Sequence, residues 1–464
     1  MKRIMTFRSL FLMGIVSLAL TLGGINLIQA QVQTKAKPPG VGKPHKPSDC
    51  NNDGVCEKDE YNHEYAPGNQ PCADCIPKNY APLLVEQTLP QLVSENYWPT
   101  GKKIYQFKYS GGNYEDTWAS DSIPDISLVS VDIGDVDNDT VKEIVAVASY
   151  FIREETVGRG KNRVTYQYYD SKIYLYESGS LGAPNWESPF LGETLFKTKD
   201  IIIGDADNDG DNELLLLQDV YRDQTKVDIY EWNGSGFQWT TSSPIFDYGC
   251  WLNFDLGDAD NDGGNEIIVP LFGPGYSVVF KYDKIDGWSF VLTETIEIAY
   301  SPGDPIFIDY SRARDSDNDG KNEIVAGGNN KRLMIWKYNE SSEAYDTVFV
   351  SEDLGGFTQG VDVGDIDGDG QKEILVGASQ SETIYVYRYN NESSGYENVN
   401  SFFIGTGMGD LIVGDPNQDG KPEIILSCGD DGTKIFDFIG DDISSGYLQE
   451  TYSYPYRSYS VKLK

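Results

Sequence analysis

Short apolar runs recur along the chain from residue 80 onward, and each set of runs brackets an acidic cluster. One run precedes the cluster and another follows it at once, and both have strand length and are rich in β-branched residues, as at 129–133 and 144–148. A third run alternates aromatic with other side chains, as at 172–176. These patterns predict buried β-strands joined by short turns. No stretch keeps a helical period, which excludes a helical solenoid.

The acidic clusters share one nine-residue pattern, with Asp at positions 1 and 5, Asp or Asn at position 3 and Glu at position 9. They occupy residues 135–143, 205–213, 258–266, 315–323, 365–373 and 415–423, and we number them loops 1 to 6. Each loop joins two predicted strands, and a third and a weaker fourth strand follow. The repeat is therefore a four-stranded antiparallel sheet of about fifty residues, the size of a β-propeller blade.

The two ends of this region predict how the repeats close. Residues 80–464 accommodate about seven repeats at the mean spacing of the loops. The segment 103–107 resembles a third strand without a first, and 459–463 resembles a first strand without a loop. Joining them completes a composite blade and removes exposed sheet edges. We predict an all-β, seven-bladed β-propeller of four-stranded antiparallel blades with calcium loops, closed by N- and C-terminal strands. A six-bladed ring with dangling ends is the alternative.

The charge of the chain excludes some partners. There are 73 acidic against 37 basic residues, for a net charge of −36. Phosphate backbones and anionic lipid surfaces repel such a chain, because binding them requires clustered Lys and Arg. We therefore predict no nucleic-acid partner.

The acidic loops themselves suggest that their carboxylates bind a cation. Three or four carboxylates within nine residues repel one another unless a cation holds them. Hard oxygen ligands without His or Cys favour calcium over zinc or copper. A solvated, Asp-rich turn without metal is the alternative.

The D-x-D-x-D-G-x-x-E loop between the first two strands of each repeat resembles the FG-GAP and VCBS repeats of integrin α-subunit propellers and of many secreted bacterial and archaeal surface proteins. The resemblance covers residues 80–464. It implies about six calcium ions, each bound by side-chain oxygens at positions 1, 3, 5 and 9 and by the backbone carbonyl at position 7. The implied ligands are Asp135, Asp137, Asp139, Val141 and Glu143 in loop 1; Asp205, Asp207, Asp209, Asp211 and Glu213 in loop 2; Asp258, Asp260, Asp262, Gly264 and Glu266 in loop 3; Asp315, Asp317, Asp319, Lys321 and Glu323 in loop 4; Asp365, Asp367, Asp369, Gln371 and Glu373 in loop 5; and Asp415, Asn417, Asp419, Lys421 and Glu423 in loop 6.

Two loops depart from the pattern of this family. Loop 1 has Thr140 where the turn favours Gly, and loop 6 has Pro416 and the neutral Asn417. Position 9 is always Glu, where many members of the family have Asp, and the longer side chain should still reach the ion.

The N-terminal part carries export signals. A basic start, the apolar stretch 10–22 and the small Ala30 predict a secretory signal peptide over residues 1–30. An uncleaved membrane anchor is the alternative. Residues 31–48 are rich in Pro and Lys and predict an extended linker.

Residues 49–76 predict a small Cys-rich calcium module. They contain Cys50, Cys56, Cys72 and Cys75, for which export predicts two disulfides of open connectivity, with a zinc site as the alternative. The same stretch has the spacing of an EF-hand loop, so it predicts one more calcium site, with a polar turn as the alternative. Its candidate ligands are Asp49, Asn51, Asp53, Val55, Glu57 and Glu60.

The sequence offers little for catalysis. His45 and His63 are the only histidines and precede the propeller, which excludes a Ser–His–Asp or Cys–His site within it. Cys250 and Cys428 belong to different blades and are predicted to be separate buried thiols.

These points together predict a secreted or cell-surface calcium-binding propeller that acts as a binding or adhesion module for an extracellular protein or carbohydrate. It would contact a membrane only if the N-terminal segment stays uncleaved. The alternative is a calcium-dependent polysaccharide-degrading enzyme, either a lyase that uses Lys, Arg or Tyr as its base or a glycosidase that uses a pair of carboxylates.

Overall fold

The computed structural model describes part of the second of two compact units, which comprises residues 82–464. The described residues are 89–91, 103–110, 113–123, 126–157, 163–177, 179–192, 198–221, 224–250, 253–273, 275–294, 306–429, 431–454 and 460–463. The predicted signal peptide, linker and Cys-rich module, with the calcium ligands from Asp49 to Glu60, lie outside them.

All regular structure in the described residues is β-strand. The strands are β1 (Leu89–Gln91), β2 (Tyr105–Ser110), β3 (Asn113–Ala119), β4 (Ile126–Gly134), β5 (Glu143–Val157), β6 (Val164–Tyr176), β7 (Trp186–Glu187), β8 (Thr198–Gly204), β9 (Glu213–Tyr221), β10 (Gln224–Trp232), β11 (Phe237–Ser242), β12 (Asp255–Gly257), β13 (Glu266–Pro270), β14 (Phe272–Gly273), β15 (Ser277–Asp283), β16 (Gly287–Leu292), β17 (Ile306–Arg314), β18 (Glu323–Gly328), β19 (Leu333–Asn339), β20 (Ala344–Val350), β21 (Thr358–Gly364), β22 (Glu373–Ala378), β23 (Thr383–Asn390), β24 (Gly395–Phe403), β25 (Asp410–Gly414), β26 (Glu423–Ser427), β27 (Thr433–Ile439), β28 (Tyr447–Tyr454) and β29 (Ser460–Lys462). In this part of the chain no helix is long and apolar enough to span a bilayer.

The strands form successive antiparallel sheets, which we number I to VI. Five of them have four strands each. Sheet I contains β4–β7, sheet II contains β8–β11, sheet III contains β12, β13, β15 and β16, sheet V contains β21–β24, and sheet VI contains β25–β28. Sheet IV has β17–β20 and a fifth strand, β14, paired beside β17. The predicted four-stranded antiparallel repeat is confirmed, and the arrangement is propeller-like.

Each acidic loop joins the first and second strands of a sheet with one register. In loop 1 Gly134, just before the loop, pairs with Glu143 at its end. The same pairing recurs as Gly204 with Glu213, Gly257 with Glu266, Arg314 with Glu323, Gly364 with Glu373 and Gly414 with Glu423. The nine-residue spacing therefore produces the same hairpin six times.

The second strands are buried along their length because they pack against neighbouring sheets on both faces. In β13, β18, β22 and β26 every residue is buried. Alternate residues of one strand belong to different clusters: Leu214 packs with sheet I and Leu215 with sheet III. This explains why these strands read as continuous apolar runs.

A glycine at the end of a first strand allows close approach of the next sheet. A Cβ added to Gly134 would lie 2.8 Å from Cγ2 of Ile203 in sheet II. A Cβ on Gly414 of sheet VI would likewise meet Leu463, which follows β29.

The terminal strands form two short pairs. β1 pairs antiparallel with β29, and β2 with β3. Ile104 and Ile123, which flank the β2–β3 hairpin, and Trp118 of β3 pack against sheet I, and Tyr114 of β3 packs against sheet VI. Both segments that the sequence predicted as strands, 103–107 and 459–463, contain strand residues.

Candidate metal centres

Each acidic loop is folded by its own carboxylates. In loop 2 Asp205 Oδ1 accepts from the backbone N–H of Asp209 at 3.1 Å, and its Oδ2 accepts from Gly210 at 3.0 Å. Asp209 Oδ1 in turn accepts from the N–H of Asp211 at 2.9 Å. The last bond, from position 7 to position 5, occurs in all six loops. The carboxylates at positions 1 and 5 therefore set the turn.

Positions 4 and 6 of every loop have left-handed backbone. Position 6 is Gly in five loops, which adopts this conformation without a Cβ clash. In loop 1 it is Thr140, at φ 77°. The sequence predicted this position as a departure, and the structure shows a β-branched residue held in a conformation that strains it.

The glutamate at position 9 is buried in every loop. In loops 1 to 5 its Oε2 accepts from the backbone N–H at position 2. The donors are Val136 at 3.1 Å, Ala206 at 2.8 Å, Ala259 at 2.8 Å, Ser316 at 3.0 Å and Ile366 at 3.0 Å. Pro416 has no N–H, so Glu423 Oε2 in loop 6 is buried without a hydrogen bond.

Burial raises the pKa of these glutamates. It raises the pKa of Glu143 to about 8, although the hydrogen bond from Val136 lowers it. The pKa values of Glu213 and Glu423 also rise to about 8, and those of Glu266 and Glu373 to about 7, mainly through loss of solvent. Each loop thus holds a carboxyl group whose charged form lacks solvent and favours a cation.

The loops bring the predicted ligands together. One oxygen from each of three carboxylates lies within 4.8 Å of the others, as in Asp135, Asp137 and Glu143. Loops 2, 4 and 5 group positions 1, 3 and 9 in the same way, and loop 3 groups positions 1, 3 and 5.

Several of these oxygens are buried without any partner. They are Glu143 Oε1, Asp258 Oδ1, Asp315 Oδ1 and Glu423 Oε2. A buried charged acceptor without a partner is costly, and a hard cation would satisfy it. An oxygen-only set of this kind fits calcium.

Four of the loops form ion pairs with a basic side chain from outside the loop. The sequence did not predict these ion pairs. Lys337 Nζ lies 2.6 Å from Asp317, 2.8 Å from Asp319 and 2.8 Å from Glu323 in loop 4. Lys281, Lys284 and Arg388 make comparable ion pairs with loops 3, 2 and 5.

Adjacent loops are linked by side-chain amides at position 4. Asn138 Oδ1 accepts from the N–H of Asn212, at position 8 of the next loop, at 2.8 Å. The equivalent bond joins loops 2 and 3, 3 and 4, and 4 and 5. Between loops 5 and 6 the two positions are Gly368 and Pro422, which have neither the acceptor nor the donor. The sequence carries a signal for these links, which is Asn at position 4 of loops 1 to 4 together with Asn at position 8 of loops 2 to 4.

A second candidate site is a cavity of about 570 Å³ between the first strands. Its charged side chains pair with one another. Arg312 lies 3.3 Å from Asp362 and 3.2 Å from Asp410. Arg314 lies 3.0 Å from both Asp255 and Asp362. These bonds connect sheets III to VI.

The predicted separate thiols are confirmed. Cys250 and Cys428 are both buried, and no disulfide joins them.

Comparison with known proteins gives a family match for part of the chain. The model of the FG-GAP-like repeat matches residues 315–376, which include loops 4 and 5. No curated protein matches the chain significantly.

Solved structures resemble the fold at low identity. A candidate 6-phosphogluconolactonase from Bacteroides uniformis has a TM-score of 0.53 and 12% identity, over 82% of this chain and 100% of that one. The periplasmic gluconolactonase of Pseudomonas aeruginosa has a TM-score of 0.51 and 11% identity, over 82% and 98%. A candidate 6-phosphogluconolactonase from Bacteroides fragilis has a TM-score of 0.50 and 12% identity, over 83% and 99%. At these identities the similarity concerns the fold alone.

Proposed function

We propose that this chain is a secreted or cell-surface calcium-binding β-propeller that acts as a non-catalytic binding or adhesion module for an extracellular protein or carbohydrate. The observation that carries the calcium proposal is the set of buried carboxylate oxygens without partners, Glu143 Oε1 and Glu423 Oε2 among them. The FG-GAP-like repeat over residues 315–376 supports the same assignment. The six loops are the candidate sites, and the EF-hand-like stretch would add one more.

We further propose that the sheets close into a seven-bladed ring, with β29, β1, β2 and β3 as the composite seventh blade. Three contacts support this. Leu463 packs on Gly414 as Ile203 packs on Gly134. The β2–β3 hairpin contacts both sheet I and sheet VI. Lys462 Nζ lies 3.0 Å from Asp200 of sheet II.

A hairpin extends from sheet I and is the candidate contact surface. β5 and β6 have 15 and 13 residues, against five or six for the second strands of sheets III to VI. Residues 151–157 are exposed, including Phe151 at 46% and Val157 at 50%. The Arg153 guanidinium lies 3.6 Å from the centre of the Tyr168 ring. Exposed aromatic and Arg side chains of this kind are common anchors of protein and carbohydrate partners.

The cavity favours binding over catalysis. A lyase that uses Lys or Arg as its base would need such a group to be available, and the basic groups that line the cavity are engaged. Arg312 and Arg314 each contact two carboxylates.

Thermal unfolding in calcium, in magnesium and in EDTA tests the calcium proposal. A ligand that binds only the native state stabilises it by mass action, about 2.7 kcal/mol per site at 100 times its dissociation constant. We expect the midpoint to rise with calcium and the rise to shrink in Glu143→Gln. The matched control, Glu154→Gln on the exposed hairpin, should keep the full rise. An equal midpoint in calcium and in EDTA would contradict the proposal.

A pull-down with extracellular glycans and proteins, with and without chelator, tests the binding role. We expect capture that weakens in Phe151→Ala. Unsaturated or newly reducing products from acidic polysaccharides would instead favour the enzyme.

A further inference from the structure

One position on the third strand of each sheet lies beside the loop. The residue that follows the loop glutamate pairs with an aromatic residue of the third strand, as Ile324 pairs with Trp336. In antiparallel register the next residue of the third strand then lies opposite the loop glutamate. We call it the flanking residue. It is Glu177, Glu231, Lys281, Lys337, Arg388 and Asp437 in sheets I to VI.

In sheets III, IV and V the flanking residue is basic and occupies the loop. Lys281 Nζ lies 3.6 Å from Asp260 and 3.3 Å from Glu266, and it also contacts Asp262. Lys337 contacts the same three positions of loop 4. The protein's own cation therefore sits on the carboxylates of positions 3, 5 and 9.

Arg388 does the same in loop 5. Its guanidinium lies 3.1 Å from Asp367 and 3.0 Å from Asp369, and it also contacts Glu373. A calcium ion would need the oxygens that this side chain engages.

In sheets I and VI the flanking residue is acidic. In this register Glu177 lies opposite Glu143 of loop 1, and burial and then the charges of Asp137 and Asp139 raise its pKa. Asp437 lies in the same way opposite Glu423 of loop 6, so it adds a carboxylate beside a loop whose position 3 is the neutral Asn417. Within the described residues no Lys or Arg forms an ion pair with the carboxylates of these two loops.

Loop 2 receives its cation from the next sheet. Its flanking residue is Glu231, but Lys284, in the turn after β15, lies 2.8 Å from Asp207, 2.6 Å from Asp209 and 3.3 Å from Glu231. Loop 2 therefore belongs with the neutralised loops.

We propose that the six loops form two classes, in which loops 1 and 6 bind calcium tightly and loops 2 to 5 are neutralised by the protein's own Lys or Arg. The inference rests on the proposed calcium function and specifies where it resides. Calcium can enter a neutralised loop only by displacing an ammonium or guanidinium group from three carboxylates. In loops 1 and 6 it meets extra negative charge and the unpaired Glu143 Oε1 and Glu423 Oε2. We expect an affinity difference of at least about tenfold.

Calcium titration of the chelated full-length chain, by calorimetry or against a chromophoric chelator, counts the tight sites. We compare variants with the wild type, so that any N-terminal site cancels. Glu177→Lys should lose one tight site, and Lys337→Met should gain one while keeping the aliphatic stem. Lys434→Met is the control, because this third-strand lysine pairs with Glu450 at 2.9 Å. It should leave the count unchanged. Circular dichroism confirms that each variant is folded.

Several outcomes overturn the inference. Six equivalent sites in the wild type, or an unchanged count in Lys337→Met, would do so while leaving the calcium function intact. Absence of any calcium binding would instead refute the proposed function itself.

Discussion

The backbone N–H of Asn322 donates to the side-chain oxygen of Asn261 at 2.5 Å, although the two residues belong to the loops of different sheets. The amide of Asn261 donates back to the Asn322 carbonyl at 3.0 Å. Asn322 also donates from its side chain to the backbone carbonyl of Asp258 at 2.8 Å. These three bonds fasten loop 3 to loop 4.

Asn261→Gly should weaken this connection. Gly tolerates the left-handed backbone at this position, so the variant removes the side-chain bonds without adding strain. We expect a loss of about 1 to 2 kcal/mol of unfolding free energy, measured by urea denaturation. Gln418→Gly, the same position in loop 6, is the control and should lose less than about 0.5 kcal/mol. Equal losses in both variants would contradict the role of the bonds.

Thr140→Gly should stabilise the protein. Thr140 has φ 77°, which a β-branched residue adopts at a cost of about 1 kcal/mol or more. We expect a gain of about 1 kcal/mol in urea unfolding. The reciprocal change, Gly210→Thr in loop 2, should destabilise by a similar amount, since Gly210 has φ 96°. A destabilised Thr140→Gly would show that the threonine has a role beyond the turn.

Asp309 should make stability depend on pH. It is 7% exposed, and burial raises its pKa from 3.8 to about 7. Because the pKa is higher in the folded than in the unfolded state, protonation of Asp309 favours folding. This stabilisation is fully present below pH 4 and is lost as the pH rises through 7. Asp309→Asn stays neutral, so at pH 8 we expect it to be about 2 to 4 kcal/mol more stable than the wild type.

The gain in Asp309→Asn should be smaller at pH 5 than at pH 8. Urea midpoints at both values measure it, with Asp286→Asn in an exposed turn as the control. A gain that does not change with pH would show that Asp309 is not the group that titrates.

Deleting residues 460–464 should open the proposed ring. The deletion removes β29 with its pairing to β1, the Lys462–Asp200 ion pair and the Leu463 contact with Gly414. An exposed sheet edge promotes association, so we expect oligomers in size-exclusion chromatography and faster proteolysis. A variant that lacks only Lys464 should behave like the wild type. A monomeric, equally resistant truncation would favour six blades.

The sequence predicted what is local and repeated. The hairpin from Gly134 to Glu143 and its five counterparts follow from nine-residue spacing and flanking apolar runs, which need no knowledge of neighbours. The loss of the hydrogen bond to Glu423 Oε2 in loop 6 could also be predicted from Pro416, because a proline has no N–H to donate.

What the sequence did not predict depends on contacts between sheets. Arg312 and Asp410 are 98 residues apart, and nothing in their local sequence indicates that they meet. The side chain of Lys284 likewise reaches a loop that lies 75 residues earlier. The charges at the flanking positions were readable, but only the strand register shows that they face the loops.

The missing link between Gly368 and Pro422 has a consequence for dynamics. Each of loops 1 to 4 is hydrogen-bonded to the next through the side chain at position 4, so the motions of neighbouring loops are coupled. At the junction of sheets V and VI this loop-to-loop bond is absent. Loop 5 is instead held to the turn after β27, where the N–H of Ile443 donates to Asp367 at 2.8 Å, and the N–H of Val413 donates to Asp362 at 2.9 Å. Loop 6 itself lacks the bond that tethers its counterparts to their neighbours, so we expect the amide hydrogens of loop 6 to exchange before those of the tethered loops.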